Sequence, residues 1–115
     1  MTLLDDIRVW TTACPHDHLI PCRGVGVLLE DGTQVALFRL DDGALYAVGN
    51  IDPFSGAAVM SRGIVGDRGG RATVQSPIKK QAFALDDGVC LDDPDVALPI
   101  YSTRVTADGY VQVGG

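Results

Sequence analysis

The residues best equipped for chemistry gather near the amino terminus, in Cys14-Pro15-His16-Asp17-His18. Cys-x-His is half of the two-cysteine, two-histidine ligand set that holds one class of [2Fe–2S] cluster, and a cysteine with two histidines can also bind zinc. The cluster needs a second half, Cys-x-x-His, which neither Cys22-Arg23-Gly24-Val25 nor Cys90-Leu91-Asp92-Asp93 supplies. Zinc would require Cys22 to join Cys14, His16 and His18, at a spacing unlike the common zinc patterns. The first expectation is therefore a buried Cys14 beside a surface loop that carries the histidines. Metal-based electron transfer through Cys14, His16 and His18 stands as the alternative.

Other patterns lead away from catalysis. Gly24-Val25-Gly26 lacks the third glycine and the following helix of a dinucleotide fingerprint, and Gly66-Asp67-Arg68-Gly69-Gly70 lacks the Gly-Lys-Ser/Thr of a phosphate loop. The pairs Asp41-Asp42, Asp86-Asp87 and Asp92-Asp93 sit among turn residues, where aspartate accepts local backbone hydrogen bonds. Neither Ser55 nor Ser61 lies in Gly-x-Ser-x-Gly, so no catalytic residue is expected. A formal charge of −6 argues against nucleic acid, whose binding depends on cations neutralising phosphates. Arg62, Arg68, Arg71, Lys79 and Lys80 nevertheless fall in or beside two unusual loops, and two readings stand side by side: a positive docking patch at the tip of an acidic body, or an ordinary solvated surface.

The elements that must position these residues read as strands. Asp31-Gly32, Asp42-Gly43, Asp87-Gly88 and Asp108-Gly109 separate short apolar runs, and Asp-Gly favours the positive φ of tight turns. The runs 26–29, 34–40, 44–48, 71–75, 101–105 and 110–113 have strand length and partial alternation. With 14 Gly and 6 Pro, and helix limited to short turns near 16–20 and 57–61, an all-β antiparallel sandwich or barrel follows. Asn50 to Gly70 and Ser76 to Gln81 stand out as loops that share one tip.

The 115 residues, 46% of them hydrophobic, suit a single domain spanning 1–115. Acids at Asp5 and Asp6 and the lack of an apolar h-region predict no signal peptide, and no run approaches the length of a membrane span. A cytoplasmic protein is expected, and its 3 cysteines do not suggest a disulfide framework.

Two stretches carry a resemblance. Ala44-Leu-Tyr-Ala-Val-Gly-Asn-Ile-Asp-Pro-Phe-Ser-Gly56 is similar to the strand and first ligand loop of Rieske ferredoxins, with Asp52 at the cysteine position and Phe54 at the histidine position. Thr73-Val-Gln-Ser-Pro-Ile-Lys79 resembles their second ligand loop, with Ser76 for cysteine and Lys79 for histidine. Phenylalanine has no donor atom, lysine is a cation at neutral pH and the serine hydroxyl keeps its proton where a thiolate is needed. No [2Fe–2S] cluster is expected at this tip.

The fuller resemblance is to the small subunit of NAD(P)H-dependent assimilatory nitrite reductase, a Rieske-like family whose members often lack the ligands. It rests on 35–39, 50–55, 61–67, 76–81 and 90–94 taken in order. It implies a large partner subunit that carries FAD, a [4Fe–4S] cluster and siroheme and reduces nitrite to ammonia in nitrate assimilation, with no cofactor in the small subunit itself. It also suggests docking through the former cluster tip, by Pro53 and Phe54 rimmed with Arg62, Lys79 and Lys80. The competing expectation is that Phe54 packs inward and fills the space of the cluster.

Overall fold

A computed structural model describes residues 9–115 as nine antiparallel strands and two single-turn 3-10 segments, with no α-helix. The strands are β1 (Trp10–Pro15), β2 (Gly24–Leu28), β3 (Gln34–Arg39), β4 (Leu45–Gly49), β5 (Ile64–Arg68), β6 (Arg71–Gln75), β7 (Ala82–Ala84), β8 (Ile100–Val105) and β9 (Tyr110–Gly114). Six strands form one curled sheet in the order β1-β9-β8-β4-β3-β2, and β5-β6-β7 form a second, smaller sheet. The all-β expectation holds.

The turns explain why the chain folds back so often. Gly32, Gly43, Gly88 and Gly109 all have φ between +78° and +89°. In three of these turns the preceding aspartate caps the backbone: Asp31, Asp42 and Asp87 accept the amides of Thr33, Ala44 and Val89. Gly88 is doubly constrained, since a Cβ there would meet the Leu98 carbonyl oxygen at 2.1 Å.

Strand β3 organises the core because both of its faces are buried. Val35 and Leu37 point into the curl of the large sheet with Leu19, Ala47, Val111 and Val113. Ala36 and Phe38 point the other way, towards Met60, Val74, Phe83 and Leu98 between the two sheets. Its apolar run is continuous, as a strand covered on both sides requires.

Three strands depart from the sequence expectation. Cys14 and Pro15 end β1, a strand the sequence did not suggest, whose register on β9 shifts between Thr12 and Cys14; Cys14 is half-buried rather than buried, and the histidines follow in a 3-10 turn. The stretch read as one loop from Asn50 to Gly70 contains β5, paired with β6 and turned by Gly69 and Gly70. β7 is only 3 residues long and wholly buried. Two of the irregular connections, those that leave β4 at Asn50 and β6 at Ser76, hold the positions expected at the tip.

Candidate functional site

Both of these connections are wound around a buried side chain. In the first, the Asp52 amide donates to the Ala57 carbonyl at 2.8 Å and the Asp52 carbonyl accepts the Gly56 amide at 2.7 Å. Gly56 closes this small ring with φ +75°. The carboxylate turns back on its own loop, with Oδ1 accepting the Phe54 amide at 2.8 Å. Asn50 secures the exit, its Oδ1 accepting the Ser61 amide at 2.7 Å and its carbonyl the Met60 amide at 3.0 Å.

In the second connection the Ser76 amide donates to the Gln81 carbonyl and the Ser76 carbonyl accepts the Lys80 amide. Lys80 takes φ +65°, one of two described non-glycine residues with positive φ. Ser76 Oγ accepts the Ile78 amide at 3.2 Å and lies 3.4 Å from the Lys79 amide.

One bond joins the two loops. Ser76 Oγ donates to Asp52 Oδ2 at 2.6 Å, across 24 residues of sequence, and both side chains are sealed from solvent. A short hydroxyl-to-carboxylate bond of this kind is charge-assisted. Burial pushes the Asp52 carboxyl up, but the hydrogen bonds from Ser76, the Phe54 amide and Ser55 outweigh it, and the net shift is below the usual carboxylate value.

The donor set does not fit an iron–sulfur cluster. Both oxygens of Asp52 are engaged, Phe54 offers no donor, and Lys79 is an exposed cation. Two oxygen ligands of one tetrahedral metal, each at about 2.0–2.2 Å, would stand roughly 3.3–3.6 Å apart. At 2.6 Å, Asp52 and Ser76 are instead at hydrogen-bond distance.

The other predicted tip residues divide by exposure. Phe54 is half-buried and packs on the inner core, its ring centroid 6.1 Å from that of Phe83 at a 44° tilt. Pro53, Arg62, Lys79 and Lys80 are exposed. Sequence reasoning missed Ile51 and Ile78, which are 43% and 49% exposed in the same two loops. Their place beside the ligand positions was the available signal.

Two of the basic residues assigned to the tip do not serve it. Arg68 pairs with Asp92 at 3.1 Å, and Arg71 reaches Asp86 at 2.8 Å and Asp87 at 3.1 Å. Among the described residues Arg62, Lys79 and Lys80 form no ion pair and no side-chain hydrogen bond. The free positive charge at the tip is therefore theirs.

Cys14, His16 and His18 do not assemble into a metal site. Cys14 is half-buried against the core inside the large sheet, and burial pushes its thiol up, away from the thiolate a metal needs. His16 and His18 occupy a 3-10 turn, with His16 Nδ1 3.8 Å from Asp17. Among the described residues no three His, Cys, Asp or Glu side chains converge on a metal position. No described helix is long and apolar enough to cross a membrane.

Comparison with known proteins identifies the family of the fold. Residues 9–114 match the Rieske-like [2Fe-2S] domain family. The nitrite reductase (NADH) small subunit of Escherichia coli K12 is 42% identical over 107 residues, covering 92% of this chain and 97% of that protein. A crystal structure described as an NADH-dependent nitrite reductase small subunit from Mycobacterium tuberculosis is 77% identical, with TM-score 0.93 over 96% of this chain and 97% of that one. The nitrite reductase [NAD(P)H] large subunit of Klebsiella oxytoca is also similar, at 39% identity over 107 residues, but the matched stretch is only 11% of that longer protein.

Proposed function

The chain belongs to the Rieske-like [2Fe-2S] domain family, and from that premise we propose that it is the small subunit of an NAD(P)H-dependent nitrite reductase, a protein-binding rather than electron-carrying member. The observation that carries this reading is the near full-length correspondence with the Escherichia coli small subunit. Its partner is the large subunit, and FAD, [4Fe–4S] and siroheme belong to that partner. The Klebsiella oxytoca protein supports a lasting association, because there an equivalent stretch is covalently part of the large subunit. Fusion of this kind raises the effective concentration of two modules that must meet.

The chain is a single domain of the cytoplasm and works without a cluster. The donor set at Asp52, Phe54, Ser76 and Lys79 supports this, and so does the bond that occupies both oxygen-bearing side chains. Its contact with the large subunit is made by the tip. Pro53, Ile51 and Ile78 supply apolar contact, the outer edge of Phe54 adds to it, and Arg62, Lys79 and Lys80 form a cationic rim. A complementary large-subunit face is acidic around an apolar centre.

The test is co-expression of the tagged chain with the nitrite reductase large subunit of the same organism, followed by affinity capture and assay of nitrite-dependent NAD(P)H oxidation. Co-purification, with activity that falls when the small subunit is left out, is the expected result. A large subunit that is never captured and is equally active alone would refute the assignment.

A further inference from the structure

In a cluster-bearing domain with ligand loops Cys-x-His and Cys-x-x-His, the metal does two jobs. It carries an electron, and it ties two sequence-distant loops to one point, with both cysteines on the same iron. The resemblance to Rieske ferredoxin loops sets Asp52 and Ser76 at the two cysteine positions. They bond directly to each other at 2.6 Å.

We infer that Asp52 and Ser76 form a latch that has taken over the tying job of the cluster, holding the two loops in the arrangement that presents the docking face. They are positioning residues: both are sealed from solvent and neither can touch a partner. The latch is wired into the backbone on both sides. Asp52 Oδ1 takes the Phe54 amide, one residue from exposed Pro53, and Ser76 Oγ takes the Ile78 amide beneath exposed Ile78 and Lys79. Ser76 Oγ therefore spends its proton on Asp52 and its lone pairs on its own loop.

This wiring makes a one-atom change diagnostic. In D52N an amide NH2 would face a hydroxyl whose lone pairs are already engaged, and the hydroxyl proton would lose its acceptor. S76A removes the hydroxyl that donates to Oδ2 of a buried carboxylate. The inference that the latch positions a docking face rests on the function proposed above, whereas the latch itself does not.

The experiment is amide hydrogen exchange on the full chain as wild type, D52N and S76A, beside capture of the large subunit by each. Faster exchange at Phe54, Ile78 and Lys79, with Val48 and Val113 unchanged and capture reduced at least several-fold, is the expected result. Loosened loops with undiminished capture would uphold the latch and overturn the tip as the docking face. Wild-type exchange at Phe54, Ile78 and Lys79 in S76A would overturn the latch. S76A is the smaller change and gives the reading on its own where D52N does not fold.

Discussion

At the scale of single residues the centre of the molecule is a carboxylate that is buried and nevertheless held ionised. Desolvation opposes the charge, and the Ser76 hydroxyl, the Phe54 amide and Ser55 together overcome it. A carboxyl whose folded value lies below its unfolded value near 3.9 contributes stability that is fully present above about pH 4 and is lost as pH falls through the folded value. Asp86 and Asp92 are also held low, Asp86 chiefly by Arg71, and Asp92 chiefly by the Ala82 amide with Arg68 second, so the wild-type acid transition is shared. The difference between wild type and S76A isolates Asp52. Thermal melting at pH 7 should show S76A less stable by about 1–3 kcal/mol, the cost of removing a donor from a buried charged acceptor. That gap should shrink as the pH is taken below 4. A gap that stays constant with pH would remove the ionised carboxylate from the account. The resemblance to Rieske ferredoxin loops made the replacement of the ligands an expectation, residue for residue. The bond between the replacements was not legible, because nothing local in sequence reports a contact across 24 residues.

At the scale of elements, the strands that the sequence showed are those with a one-sided or fully buried pattern between Asp-Gly turns. The run 71–75 matches β6 at both ends, and 34–40 overshoots β3 by one residue. The strands it hid have physical reasons to be hidden. Four of the five residues of β5 are exposed, so no alternation marks it, and Gly66-Asp67-Arg68 reads as a turn. β7 is too short for a period and exists through its pairing with β6. Pro15 disguises β1 at its end. Because β3 is buried on both faces, F38A should cost about 3–5 kcal/mol in chemical denaturation. F54A should cost roughly half as much, since that ring is only half-buried against Phe83. Equal losses for the two would mean that Phe54 is as central to the core as Phe38. Gly88→Ala combines φ +78° with a Cβ that would sit 2.1 Å from the Leu98 carbonyl oxygen. It should lower the midpoint by more than the ~1 kcal/mol of an unstrained glycine site.

At the scale of the whole molecule, a chain of net charge −6 sets three cations without an ion pair, Arg62, Lys79 and Lys80, in or beside its two tip loops. Among the described acids, Asp86, Asp87 and Asp92 are drawn into pairs with Arg71 and Arg68. The sequence suggested this polarity but assigned too many residues to it, because ion pairing of Arg68 and Arg71 depends on strand pairing. The polarity has a kinetic consequence. Charge reversal of Lys79 and Lys80 together should slow association with the large subunit and remove most of its salt dependence, while changing stability by no more than about 0.5 kcal/mol. Association rates measured between low and physiological salt check this. An unchanged rate would move the contact to another face.

The claim on which these scales converge is that a Rieske-like domain here works with a hydrogen bond where its relatives with intact ligand loops hold a metal cluster. Iron and acid-labile sulfide per chain, measured on protein purified without air from iron-replete cells, test that claim most directly. The account predicts neither in stoichiometric amount. Two irons and two sulfides per chain would contradict it, because Asp52 and Ser76 would then have to part and the tip would have to be built in another way.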